Sequence, residues 1–198
     1  MSESTENLRV LGKKAAESAG LALSKFLNKQ IQLHASFTDL LDIKDVHRNI
    51  FLKIENVGVM IFARLHQGLE GELIFILDER TAYRLVNLTR LKMETSDAGV
   101  ITELGISAIK EIGNMVIGSY LTELSLNLKR TIAPPLSILI SGSLEQIFQE
   151  VLYHPYLPVK NLQRYLIQTD FEVPQEGIKG NLSLALTPGS AASINFND

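Results

Sequence analysis

Apolar and polar positions along this chain alternate between a helical period of 3.6 and a strand period of 2. Helical spacing covers about residues 5–28, and strand-like stretches follow around 30–37, 49–55 and 57–66. Gln67–Gly71 reads as a turn into a strand over Glu72–Leu77, after which Asp78 is placed to cap a helix through Glu79–Leu91. The polar segment Lys92–Asp97 marks a boundary, and a second long helix is predicted from about 98 to 128. Beyond it, Thr131–Gly142 reads as a strand, with Pro134-Pro135 favouring an extended entry. Ser143–Leu152 reads as a short helix, 162–173 and 180–187 as strands, and Pro188–Phe196 as a short terminal helix or tail.

The order of elements recurs, and so do residues. With Leu11–Ser24 laid over Ile112–Ser125, Gly12 meets Gly113, Ser18 meets Ser119, Leu23 meets Leu124 and Ser24 meets Ser125. Gly71–Asp78 likewise resembles Gly180–Thr187: a glycine, a largely apolar strand, then a residue suited to cap a helix. We read two diverged copies of a helix–strands–helix unit, divided at approximately 1–95 and 96–198 within a single domain.

One helix face breaks the apolar rule. At about 100° per residue, Ser107, Glu111, Asn114 and Gly118 fall within roughly 60° of one another. Ile101, Ala108, Ile109, Ile112 and Val116 gather on the opposite side. Asn is a poor helix former at an exposed mid-helix position, and Gly costs roughly 1 kcal/mol relative to Ala. Gly118 on the polar line therefore implies close approach by another body, and Leu121 offers an apolar contact one turn later. Gly113 points away from the line, and its match with Gly12 favours a packing role. In the first copy Val10, Lys13 and Glu17 stand where Glu111, Asn114 and Gly118 stand in the second, so a site on this line belongs to the second helix alone.

Composition narrows the chemistry. Hydrophobic residues are 45% and charged residues 21% of the 198, enough for a substantial core, and the net charge of −3 with no basic patch argues against nucleic acid as a partner. Zero cysteines exclude disulfides, thiolate metal sites and cysteine nucleophiles. No signal pattern and no long apolar run are present, so a cytoplasmic protein with no membrane span is expected. His34, His47, His66 and His154 lack metal-ligand spacing, and the glycines form neither a P-loop nor GxGxxG, so no metal and no phosphate cradle are expected. Phe75 alternates with Leu73 and Leu77 and is expected in the core, whereas Phe51 alternates with charges and reads as exposed.

The segment Ser107–Ser125 followed by Pro134-Pro135 resembles the signature of the CheC/CheX/FliY family, phosphatases of CheY-type response regulators in chemotaxis. The family pattern is Asp or Ser, three residues, Glu, two residues, Asn, and a proline some twenty-odd residues on. Ser107, Glu111 and Asn114 match it in type and spacing, and Pro135 follows slightly early. Length, duplication and the Glu70–Leu73 strand entry are most similar to CheC, with only the second of two sites retained. The resemblance implies that Asn114 positions the water attacking a receiver aspartyl phosphate, and that Glu111 pairs with a receiver lysine. Ser107, Gly118 and Leu121 would touch the partner. It implies Mg²⁺ supplied by the phosphorylated receiver rather than by this chain. It leaves open a non-catalytic module for a receiver, a CheD-like partner or a flagellar switch component, and either a monomer or a homodimer. The expected fold is α+β, internally duplicated with pseudo-two-fold symmetry, long helices packed on a largely antiparallel sheet.

Overall fold

Two long helices, α1 (Glu3–Leu27) and α3 (Glu103–Leu128), lie against each other on one face of an antiparallel sheet. The computed structural model describes residues 3–42, 45, 57–89, 102–133, 135–152 and 163–194. Among them the sheet has six strands: β1 (Gln32–Asp42), β2 (Val57–Leu65), β3 (Gly71–Asp78), β4 (Ser137–Ser143), β5 (Gln163–Val173) and β6 (Ile178–Leu186). Three shorter helices complete it: α2 (Glu79–Leu88), α4 (Leu144–Leu152) and α5 (Pro188–Ala192). The α+β fold is the expected one.

Strand order across the sheet is β1-β5-β6-β3-β2-β4, with every neighbouring pair antiparallel. Exchanging β1 with β4, β2 with β5 and β3 with β6 returns the same order reversed, so the sheet has a pseudo-two-fold axis between β3 and β6. The repeated residues do repeated work. Ser24 Oγ donates to the Lys29 carbonyl and Ser125 Oγ to the Arg130 carbonyl, each at 2.6 Å. Asn28 (φ 52°) and Lys129 (φ 50°) take the left-handed turn that stops each long helix. Asp78 and Thr187 cap α2 and α5 by accepting from the Thr81 and Ser190 amides.

The larger core lies between sheet and long helices. A Cβ on Gly12 would stand 2.2 Å from Ile167 Cγ2, and one on Gly113 would stand 2.0 Å from Ile61 Cδ1. Each glycine lets its helix settle onto a strand of the other half, α1 on β5 and α3 on β2, so Gly113 packs on the sheet. Phe75 is buried and stacked on Phe171, ring centroids 5.5 Å apart. On the opposite face α4 covers a smaller cluster of Met60, Phe62, Ile74, Ile76 and Leu166. That is why β2 and β3 read as continuous apolar runs rather than alternating ones.

Several boundaries move. Thr102 is extended (φ −70°, ψ 165°) and caps α3 through the Gly105 amide, so the helix starts at Glu103 rather than near 98. The strand expected from Thr131 begins only at Ser137, beyond the prolines, and β1 runs on to Asp42. The expected strand at 49–55, Phe51 and the boundary at Lys92–Asp97 lie outside the described residues. Among the described residues no helix is long and apolar enough to cross a membrane.

Candidate functional site

The α3 face predicted from periodicity is where the chain exposes its polar line. Ser107, Glu111 and Asn114 are exposed and Gly118 is half-buried, while Ala108, Ile109, Ile112 and Val116 are buried beneath them. Over Gly118 the space is open, with none of the described residues within 4 Å of a hypothetical Cβ. Ser107 Oγ donates to the Glu103 carbonyl at 3.0 Å, turning its hydroxyl proton back onto the helix.

Glu111 forms one lip of an open groove of about 760 Å³. The end of α1, with Lys25 and Phe26, and the end of α2, with Leu88 and Thr89, line the same groove. Asn114, about 60° round the helix from Glu111, turns towards β4 at the sheet edge. There its Oδ1 accepts a hydrogen bond from Ser137 Oγ at the start of β4. Glu111 and Asn114 are thus one turn apart on a rigid helix, each facing a different neighbouring element.

Leu121 requires correction. It is 3% exposed and belongs to the core cluster that also holds Leu69 and Ile132. It sits roughly 40° from Ser107 on a helical wheel, but the chain turns back under this end of α3, with Thr131 and Ile132 against Gly68. The last turns of α3 are therefore covered over a wider arc than the first, and Leu121 offers no surface to a partner.

The first-half face holds a different chemistry. Val10 is exposed, and Lys13 and Glu17 form an ion pair with Nζ and Oε1 3.9 Å apart. Where α3 presents a carboxamide and an open glycine, α1 presents an exposed salt bridge at helical i, i+4 spacing. Among the described residues, no group of three or more His, Asp or Glu side chains is placed to hold a metal ion. Ser137 is the functional-site residue that periodicity did not single out; only the pairing of β4 with β2 brings it under Asn114.

Comparison with known proteins falls on the same segment. The model of the CheC-like family matches residues 104–135, which is α3 with its connection towards β4. The CheY-P phosphatase CheC of Bacillus subtilis is 27% identical over 125 residues, covering 62% of this chain and 59% of CheC. The match thus spans somewhat over half of that relative's length. Thermotoga maritima FliY has the same fold, with a TM-score of 0.68 at 20% identity over 97% of this chain and 93% of that one. So does the FliM middle domain of H. pylori, at 0.67 and 8% identity over 98% and 99%. A chain of the CheX–CheY–BeF3–Mg complex from Borrelia burgdorferi aligns at 0.55 and 16% identity over 88% and 96%.

Proposed function

We propose that this chain, whose residues 104–135 match the model of the CheC-like family and which is similar to the CheY-P phosphatase CheC, is a member of the CheC/CheX/FliY family and hydrolyses the aspartyl phosphate of a CheY-type receiver domain, with Asn114 placing the attacking water. The observation that carries this reading is an exposed Glu111–Asn114 pair on a rigid helix, inside the segment that the CheC-like model matches.

An acyl phosphate hydrolyses slowly while water approaches it at random. Holding one water in line with phosphorus turns orientation into rate. A carboxamide suits this task. Its oxygen has two lone pairs and its nitrogen two donors, so it orients water without a change of protonation state. The glutamine of GTPases works by the same logic. Ser137 occupies one lone pair of Asn114 Oδ1 and leaves the second for the water proton. Glu111, one turn away, would pair with the receiver's lysine, and Gly118 would let the receiver backbone approach. The Mg²⁺ belongs to the receiver substrate, in keeping with the CheY–BeF3–Mg partner of the related CheX.

The test is phosphate release from a receiver charged with acetyl phosphate. Wild type accelerates it, and Asn114→Ala loses about a hundredfold of that acceleration with its thermal unfolding unchanged. An Asn114→Ala protein with wild-type rates refutes the catalytic role. A second reading rests on the first-half helix, where Lys13 and Glu17 have replaced the site, and on the likeness to FliM. There the chain is a binding module for a receiver, a CheD-like protein or a flagellar switch component. Capture of the charged receiver with no acceleration by wild type selects that reading.

A further inference from the structure

We infer that Ser137 is a positioning residue for Asn114, holding its carboxamide in the one rotation that leaves a lone pair and the amide donors facing outward; this rests on the catalytic reading above. Among the described residues, Ser137 Oγ is the hydrogen-bonding partner of Asn114. The terminal torsion of an asparagine is broad and nearly two-fold, so an exposed carboxamide without a partner exchanges its oxygen and nitrogen positions freely. Ser137 is 9% exposed and fixed in the β2–β4 ladder opposite Ala63, which makes it a far stiffer anchor than solvent.

The placement follows from packing. Ser137 and Leu139 stand opposite Ala63 and Ile61 on the sheet face that carries α3. Gly113, lacking a side chain, lets the helix down onto Ile61. Asn114 is the next residue, and this close seating brings it within reach of the β4 hydroxyl.

The internal repeat supplies a control. Gly12 sits over Ile167 as Gly113 sits over Ile61, which makes Lys13 the counterpart of Asn114. Two residues further along each strand lie Thr169 and Ala63, and opposite them stand Ala35 and Ser137. Ala35 is therefore the counterpart of Ser137. The carboxamide and the hydroxyl are present together in one half and absent together in the other. Ser24 and Ser125 behave differently: both halves keep them, because both close a helix end. Ser137 travels with the polar line and not with the fold.

The experiment uses Ser137→Ala and, to keep the volume of the side chain, Ser137→Cys in the full chain. The first readout is the side-chain amide of Asn114 by ¹⁵N NMR, with no receiver present. In wild type it is ordered on the nanosecond timescale, and in both variants its order parameter falls to that of exposed asparagines. The second readout is turnover of charged receiver, where kcat drops about tenfold with KM unchanged. Restoring a hydroxyl with Ser137→Thr recovers most of both. An Asn114 amide that stays ordered in Ser137→Ala and Ser137→Cys overturns the inference whatever the rates. Unchanged turnover in Asn114→Ala instead overturns the catalytic reading, and the two failures are thereby distinct.

Discussion

Two glycines on the same helix have opposite reasons to be there. Gly113 sits under α3, where an added methyl would overlap Ile61. Gly118 sits on top, where a methyl would meet nothing among the described residues. In a helix interior Ala is favoured over Gly by roughly 1 kcal/mol, so nothing among the described residues accounts for Gly118. Gly118→Ala should stabilise the protein by about 0.5–1 kcal/mol in urea titration while weakening its capture of a charged receiver several-fold. Gly113→Ala should destabilise it by about 1–3 kcal/mol, because overpacking outweighs propensity. If Gly118→Ala binds the receiver as well as wild type, close approach over this residue is not needed.

Between the long helices, packing is tight and almost wholly apolar, and Tyr120 shows what that costs. Its ring is buried in the core, its hydroxyl has no hydrogen-bonding partner among the described residues, and the oxygen lies 3.5 Å from where a Gly12 Cβ would be. Burial pushes the phenol above its ordinary value of 10. The folded state then keeps its proton to higher pH than the unfolded chain. Stability from this group is full below about pH 10 and falls as pH rises beyond it. Tyr120→Phe should be at least as stable as wild type at pH 8 and should lose less stability between pH 8 and 10.5, measured by urea titration at each pH. An equal or steeper loss in the variant would mean that the hydroxyl ionises in the folded state as readily as in the unfolded chain, and so is not shut away from water. The same elements show what sequence carries. The polar line on α3 was legible because a 3.6 period alone separates Glu111 and Asn114 from Ile112 and Val116. Of the residues shared by α1 and α3, Ser24 with Ser125 and Gly12 with Gly113 were legible because the serines close a helix end and the glycines let a helix settle on a strand. Leu121 was misplaced and Ser137 unseen for a common reason. Whether the end of α3 is covered, and which strand residue lies beneath Asn114, depends on the return of the chain at Ile132 and on the β2–β4 register, which no local pattern encodes.

Across the whole molecule, the two halves are joined by one continuous sheet, and the polar side of that sheet carries charge at the junction. Glu72 on β3 is 5% exposed, with Arg164 Nε of β5 3.1 Å from its Oε2 and Arg64 Nε of β2 3.9 Å from its Oε1. Arg64 also donates to the Val151 carbonyl at 3.3 Å, which ties α4 to the same cluster, and its guanidinium lies 5.4 Å from the Phe62 ring centroid. The pseudo-symmetric position to Glu72 is Asn181, whose amide donates to Asp170 at 2.8 Å, so the second half uses a polar pair with one carboxylate instead. A buried ion pair adds little relative to a well-packed apolar replacement, but removing one partner strands the other charge in a dry site. Here a single carboxylate serves guanidinium groups from both halves. Glu72→Ala should therefore destabilise the protein by about 3–5 kcal/mol. Because β3 and β6 share a ladder across the pseudo-axis, the loss should appear as one cooperative transition at a lower urea midpoint, followed in parallel by far-UV circular dichroism and tyrosine fluorescence. A loss below about 1 kcal/mol, the range of exposed pairs, would show that the cluster is solvated. Two separate transitions would show that the halves fold independently and that Glu72 does not join them.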